Sequence, residues 1–161
     1  MIYNIYLPLN GMKNIKLELF TALHDFVHQR IEHIQLALSL ANEAGKDETK
    51  SSAGDKHETG RAMAHLDQEQ QQVQLAAALI LRDQLERINP MLVSLQVTLG
   101  SLINTNKGWF YISIGAGRIE VQDFFCMAIS PQSPLAKAFL GTSIGTKVAL
   151  NGNQYEVLAI L

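Results

Sequence analysis

A chain of 161 residues has room for one ordinary domain or two small ones, with enough apolar content for a core. Its 13 Lys and Arg stand against 15 Asp and Glu, so the basic excess that drives autonomous binding to duplex nucleic acid is missing, and any such contact must be local or arranged by a protein partner. No apolar run approaches the ~20 residues that cross a bilayer, and the single cysteine, Cys126, leaves no internal disulfide.

Residues 1–11 lack a charged n-region and read as an N-terminal extension rather than a signal peptide, either poorly ordered or preceding a start at Met12. A reducing, cytoplasmic setting is expected. From Met12 to about Ala44 apolar residues recur at helical spacing (Ile15, Leu19, Leu23, Phe26, Val27, Ile31, Ile34, Leu38, Ala41) with no Pro or Gly to interrupt them. A second helical pattern runs from about Lys56 to Ile88 (Met63, Leu66, Val73, Ala76, Ala77, Ile80, Leu81, Leu85, Ile88), with Gln68, Glu69, Gln71, Asp83 and Arg87 expected on a solvated face, and Asn89-Pro90 ends it. Between the two lies a polar stretch rich in turn formers, Gly45 to Glu58. Two helices of roughly thirty residues joined this way predict an antiparallel coiled-coil hairpin over residues 12–89, a stalk of roughly 45 Å.

From Pro90 to Leu161 the character changes. Val93–Ile103 and Trp109–Ile114 are rich in β-branched and aromatic residues around an Asn106-Lys107-Gly108 turn. Phe124–Ile129 reads as a third strand, and Ser133–Leu140 as a short helix with Pro134 in its first turn and Gly141 past its end. Lys147–Leu150 and Tyr155–Ile160 form a hairpin around Asn151-Gly152-Asn153. The fold class is therefore α+β, the helical hairpin preceding a small sheet domain at 90–161. Trp109, Phe110, Tyr111, Phe124 and Phe125 are expected in its core, as are Leu140 and an inert Cys126 thiol.

The chemistry concentrates where the second helix begins. Asp55 and Glu58 are three apart, so on a helix they share a side and suit joint coordination of Mg²⁺, a hard cation that takes carboxylates and keeps several waters. The same residues form a capping box, an acid at the N-cap and Glu at the third position, and a residue can do both. Lys50, Lys56 and Arg61 flank them as candidate contacts to RNA phosphate or to a partner, or as plain solvated charges. His24 and His28 are four apart on the first helix, but no third ligand at matching spacing makes them a zinc site.

Val97-Thr98-Leu99-Gly100-Ser101, Ile129-Ser130, Ser133-Pro134-Leu135-Ala136, Leu140-Gly141, Gly145 and Tyr155-Glu156-Val157-Leu158 together resemble the C-terminal wording of the bacterial Gre-type transcript-cleavage factors. Gly54-Asp55 followed by Glu58 matches the tip of their coiled coil. The resemblance implies an FKBP-like C-terminal domain and a partner, RNA polymerase, whose secondary channel admits the hairpin. It implies that Asp55 and Glu58 are catalytic there, sharing the second Mg²⁺ with the polymerase at the nascent RNA 3′ end of a backtracked complex. The chain alone would then be no enzyme, would cross no membrane and would bind no DNA specifically on its own. Where that family carries an Asn-Ala-Glu-Tyr-like stretch after the second acid, this chain has Thr59-Gly60-Arg61-Ala62, and Thr146 stands where Asp is usual. The first departure sustains an alternative, a non-cleaving regulator of the same channel. A coiled-coil interaction module unrelated to transcription is the third possibility.

Overall fold

The structure, a computed structural model, describes residues 9–48 and 56–161. Two long helices, α1 (Leu9–Glu48) and α2 (Lys56–Glu86), precede six strands and one short helix: β1 (Leu102–Thr105), β2 (Gly108–Ile112), β3 (Gly117–Val121), β4 (Phe124–Ile129), α3 (Pro134–Phe139), β5 (Lys147–Leu150) and β6 (Asn153–Ile160). This is the α+β architecture read from the sequence. The described residues form two compact units, one holding those up to His24 with Gln84–Leu161, the other Asp25–Asp83.

Within the second unit, Val27, Ile31 and Ile34 of α1 and Ala78 of α2 are buried. Leu38, Leu75 and Leu79 are half-buried, completing a seam at alternating three- and four-residue steps. Gln68 donates to Asn42 Oδ1 across it at 2.8 Å. α1 extends three residues ahead of Met12 and runs through Gly45 to Glu48, so the polar connection is shorter than its composition suggests. Gly45 costs a forty-residue helix only about 1 kcal/mol, too little to end it.

In the first unit the strand order is β3-β4-β2-β1-β6-β5. Neighbours are antiparallel except β2 and β4, which run parallel with Phe110 opposite Met127 and Ile112 opposite Ile129. The β1–β2 turn is fixed by Thr105, whose hydroxyl donates to Gly108 O at 2.8 Å and accepts from Lys107 N at 3.1 Å. Asn151 and Gly152 both have positive φ, 50° and 76°, which is the type I′ geometry that matches strand twist in a two-residue hairpin.

One sheet face carries Ile103, Phe110 and Ile112 against Ala136 and Phe139 of α3, with Val97, Val148 and Val157 in the same buried cluster. The rings of Phe110, Phe139 and Tyr155 meet at centroid distances of 5.8–6.0 Å. The other face, by strand alternation, carries Leu102, Tyr111, Phe124, Cys126 and Ala128, and these are buried as well. Ile15, Leu19 and Leu23 of α1, with Leu85 and Ile88, are buried in the same unit. Gln122, in the β3–β4 turn, donates to both carboxylate oxygens of Glu18 at 2.8 Å and anchors that end of α1.

Candidate functional site

The connection between α1 and α2 is where the sequence puts its chemistry. α2 starts at Lys56, so Glu58 is its third residue and Arg61 lies one turn further on. Lys50 and Asp55 fall outside the described residues, as do the side chains of Lys56, Glu58 and Arg61. The backbone alone has an electrostatic consequence. The first turn of a 31-residue helix presents free N–H groups and the positive end of the macrodipole, which favours negative charge there. An acid at the third position therefore serves the helix whatever else it does.

Gly60 follows in the second turn. It is exposed, and a Cβ built on it meets nothing within 4 Å, so packing gives no reason for glycine here. Its effect is to weaken the start of α2 by about 0.5–1 kcal/mol relative to alanine.

Several residues that carry the C-terminal resemblance have work in the fold. Gly100 has φ 85°, and a Cβ there would meet Ile88 Cγ2 at 2.9 Å. Ser101 Oγ accepts from Thr98 N at 3.0 Å. Ser133 caps α3 by accepting from Ala136 N, and Pro134 opens the helix. Gly141 N donates to Val97 O and Gly145 N to Val157 O, each at 2.8 Å. These residues specify a domain and place no reactive group.

Two core assignments need correction. Leu140 is exposed, because it is the C-cap of α3 with an extended ψ of 131°, and Phe139 takes the buried position instead. Phe125 is exposed as well, on the outer part of β4, where the Arg118 guanidinium lies 4.3 Å from its ring centroid. Phe110, Tyr111 and Phe124 are buried as expected. Half-buried Trp109 packs edge-on against Phe124 at 5.3 Å. Cys126 is buried, and desolvation pushes its thiol up to about 12. No group of three or more His, Cys, Asp or Glu among the described residues is placed to hold a metal, and His28 Nε2 sits 3.4 Å from Glu32.

Two groups are notable that sequence reasoning missed. Lys16 is 3% exposed, donates to Leu92 O at 2.7 Å, and burial lowers its pKa to about 8. Its place three residues before Leu19 and seven before Leu23, on the buried stripe of α1, was the available signal. The Tyr111 hydroxyl is buried with no hydrogen-bond partner among the described residues, and desolvation with the nearby Cys126 raises its pKa. An open cleft of ≈ 340 Å³ lies between the start of α1 (Gly11, Asn14, Ile15, Glu18) and the β3–β4 turn.

No protein-family model matches the chain, and no curated protein is similar to it in sequence. Among solved structures it is similar to the GreA factor homolog 1 (Gfh1) of Thermus thermophilus, at 20% identity over 86% of this chain and 94% of that one, with a TM-score of 0.35. A second structure of the transcription factor Gfh1 gives 21% identity over 85% and 92% of the two chains, at a TM-score of 0.34. Thermus aquaticus Gfh1 gives 20% over 87% and 94%, again at 0.34.

Proposed function

We propose that this chain is a transcription elongation factor that binds RNA polymerase and stimulates cleavage of backtracked transcripts, with Asp55 and Glu58 delivered to the polymerase active centre. The observation that carries the reading is positional. The acid pair falls at the junction of two long paired helices, between the end of α1 at Glu48 and the first turn of α2. The residue-level resemblance in the C-terminal domain supports it, since Ser133, Pro134, Gly141 and Gly145 each serve the fold that the resemblance implies.

Two carboxylates are the donor type that Mg²⁺ prefers, and two alone leave most of its coordination to others. On this reading Asp55 and Glu58 would hold the cation jointly with the polymerase. The cation would supply activation of a water nucleophile, as in two-metal phosphodiester hydrolysis. The chain's own contribution is to bring negative charge to a helix start and present it to the partner. Lys50, Lys56 and Arg61 would contact RNA phosphate or the polymerase nearby.

A second reading is favoured by Thr59-Gly60-Arg61-Ala62. Gly60 makes the second turn of α2 less favourable and serves no packing need, which is not what a rigidly held catalytic group asks of its support. That arrangement suits a regulator that occupies the channel without cleaving.

The test uses purified polymerase and backtracked complexes. Asp55→Asn and Glu58→Gln should retain polymerase binding while lowering cleavage stimulation at least tenfold, because both keep hydrogen-bonding capacity and remove charge. Wild-type protein that binds but stimulates no cleavage at any Mg²⁺ concentration would hand the function to the regulator reading. Failure to bind polymerase at all would end both.

A further inference from the structure

α2 carries a second apolar stripe that its seam with α1 does not use. Ala62, Leu66, Glu69, Val73, Ala76 and Ile80 follow one another at steps of 4-3-4-3-4, the spacing of residues that pack on another helix. They are out of phase with half-buried Gln68, Gln71 and Leu75 and buried Ala78, which form the seam. At the stripe's centre Leu66 is 50% exposed, Val73 70% and Ile80 57%. A solvated helix face normally interleaves charge, yet Gln70 to Leu81 has none.

The surrounding charge selects what would cover it. On α2 the described charged side chains of this unit are Asp67, Glu69 and Asp83 against Arg82, which pairs with Asp83 at 2.9 Å; Asp25, Glu32 and Glu43, with Arg30, lie on α1. Over residues 25–83 the sequence has ten acids and six bases. Nucleic acid and anionic lipid are repelled by that excess, and a second copy brings the same sign to the contact.

We infer that this face of α2 docks an amphipathic helix of another protein, one with an apolar stripe and Lys or Arg along its flanks. Leu66, Val73 and Ile80 supply the apolar contact, and Glu69 and Asp67 meet the partner's cations. The inference does not depend on the polymerase reading or on the acids at the start of α2.

The test uses the full chain and a labelled synthetic peptide of Leu/Lys heptads, followed by fluorescence anisotropy, with a Leu/Glu peptide of the same pattern beside it. The Leu/Lys peptide should bind saturably and more weakly as salt rises, and the Leu/Glu peptide should not bind. Val73→Glu should weaken binding at least tenfold even though it adds an acid, with Val73→Gln doing the same, both proteins keeping wild-type helicity by circular dichroism. Undiminished binding by Val73→Glu would show attraction by charge alone and overturn the proposal. So would a concentration-dependent dimer in sedimentation equilibrium that either variant abolishes, because a second copy would then be the occupant.

Discussion

The sheet unit and the helical unit spend their apolar residues differently. In the sheet unit buried side chains lie on both sides of the sheet and enclose a lysine and a tyrosine hydroxyl, while Leu95, Phe125, Met127 and Ile144 stay exposed at its margins. In the helical unit the buried side chains form one narrow seam, while Leu36, Leu40, Met63, Leu66, Val73 and Ile80 remain exposed. A helix pair buries only one stripe of each helix, so apolar residues outside that seam stay in contact with water.

The largest effect should come from the sheet core. Phe139→Ala removes a ring that packs on Phe110 and Tyr155 and should cost about 3–5 kcal/mol in chemical denaturation. Leu140→Ala, one residue later at an exposed cap, should cost less than about 1 kcal/mol. Equal losses would mean the division between the two positions is wrong.

Next is the buried cation. Lys16 has a folded pKa of about 8 against 10.5 unfolded, so its charged form costs stability below pH 8 and that cost is relieved as pH rises toward 10.5. Cys126 works oppositely, with a pKa raised from 9.0 to about 12, and removes stability above pH 9 as the unfolded thiol ionises first. Stability should therefore rise between pH 8 and 9 and level off or fall beyond. Lys16→Met should be more stable than wild type at pH 7, with that rise abolished. A flat wild-type profile would place Lys16 in water.

Tyr111→Phe should be neutral or stabilising by up to about 1 kcal/mol, since it removes a buried hydroxyl with no partner among the described residues. A loss above about 1 kcal/mol would reveal a hydrogen bond to that oxygen. The smallest effect belongs to the helical unit. Gly60→Ala should stabilise α2 by about 0.5–1 kcal/mol, read as increased helicity, because the added methyl meets nothing.

Much of this was legible in advance where one physical rule dominates. The 3.6-residue period marked both long helices, and Ser133, Pro134 and Gly141 framed α3 because caps and breakers act locally. β3 was missed. Gly117-Arg118-Ile119-Glu120-Val121 is a short edge strand with charges on alternate positions, and its turn to β4 uses Gln122 in the left-handed region, where Gly or Asn would have signalled a hairpin. The parallel β2–β4 pairing was equally hidden, being a long-range choice with no local mark. Of the candidate site, the sequence supplied residue types and spacing. The structure adds that Glu58 falls in the first turn of α2 and Gly60 in an unpacked position behind it.

The strand order also sets a timetable. β1 to β4 form one contiguous block, with β4 inserted between β2 and β3, and can pair as synthesis proceeds, but β5 reaches the sheet only through β6. β6 lies against β1, and Leu102 and Leu161 exchange backbone hydrogen bonds at 2.9 Å in each direction. Until residues 153–161 have left the ribosome, the inner edge of β1 stays open, and the face that later covers Val157 and Val148 is exposed to other chains. A nascent chain stalled short of residue 153 would thus carry an unsealed strand edge that the finished protein never shows.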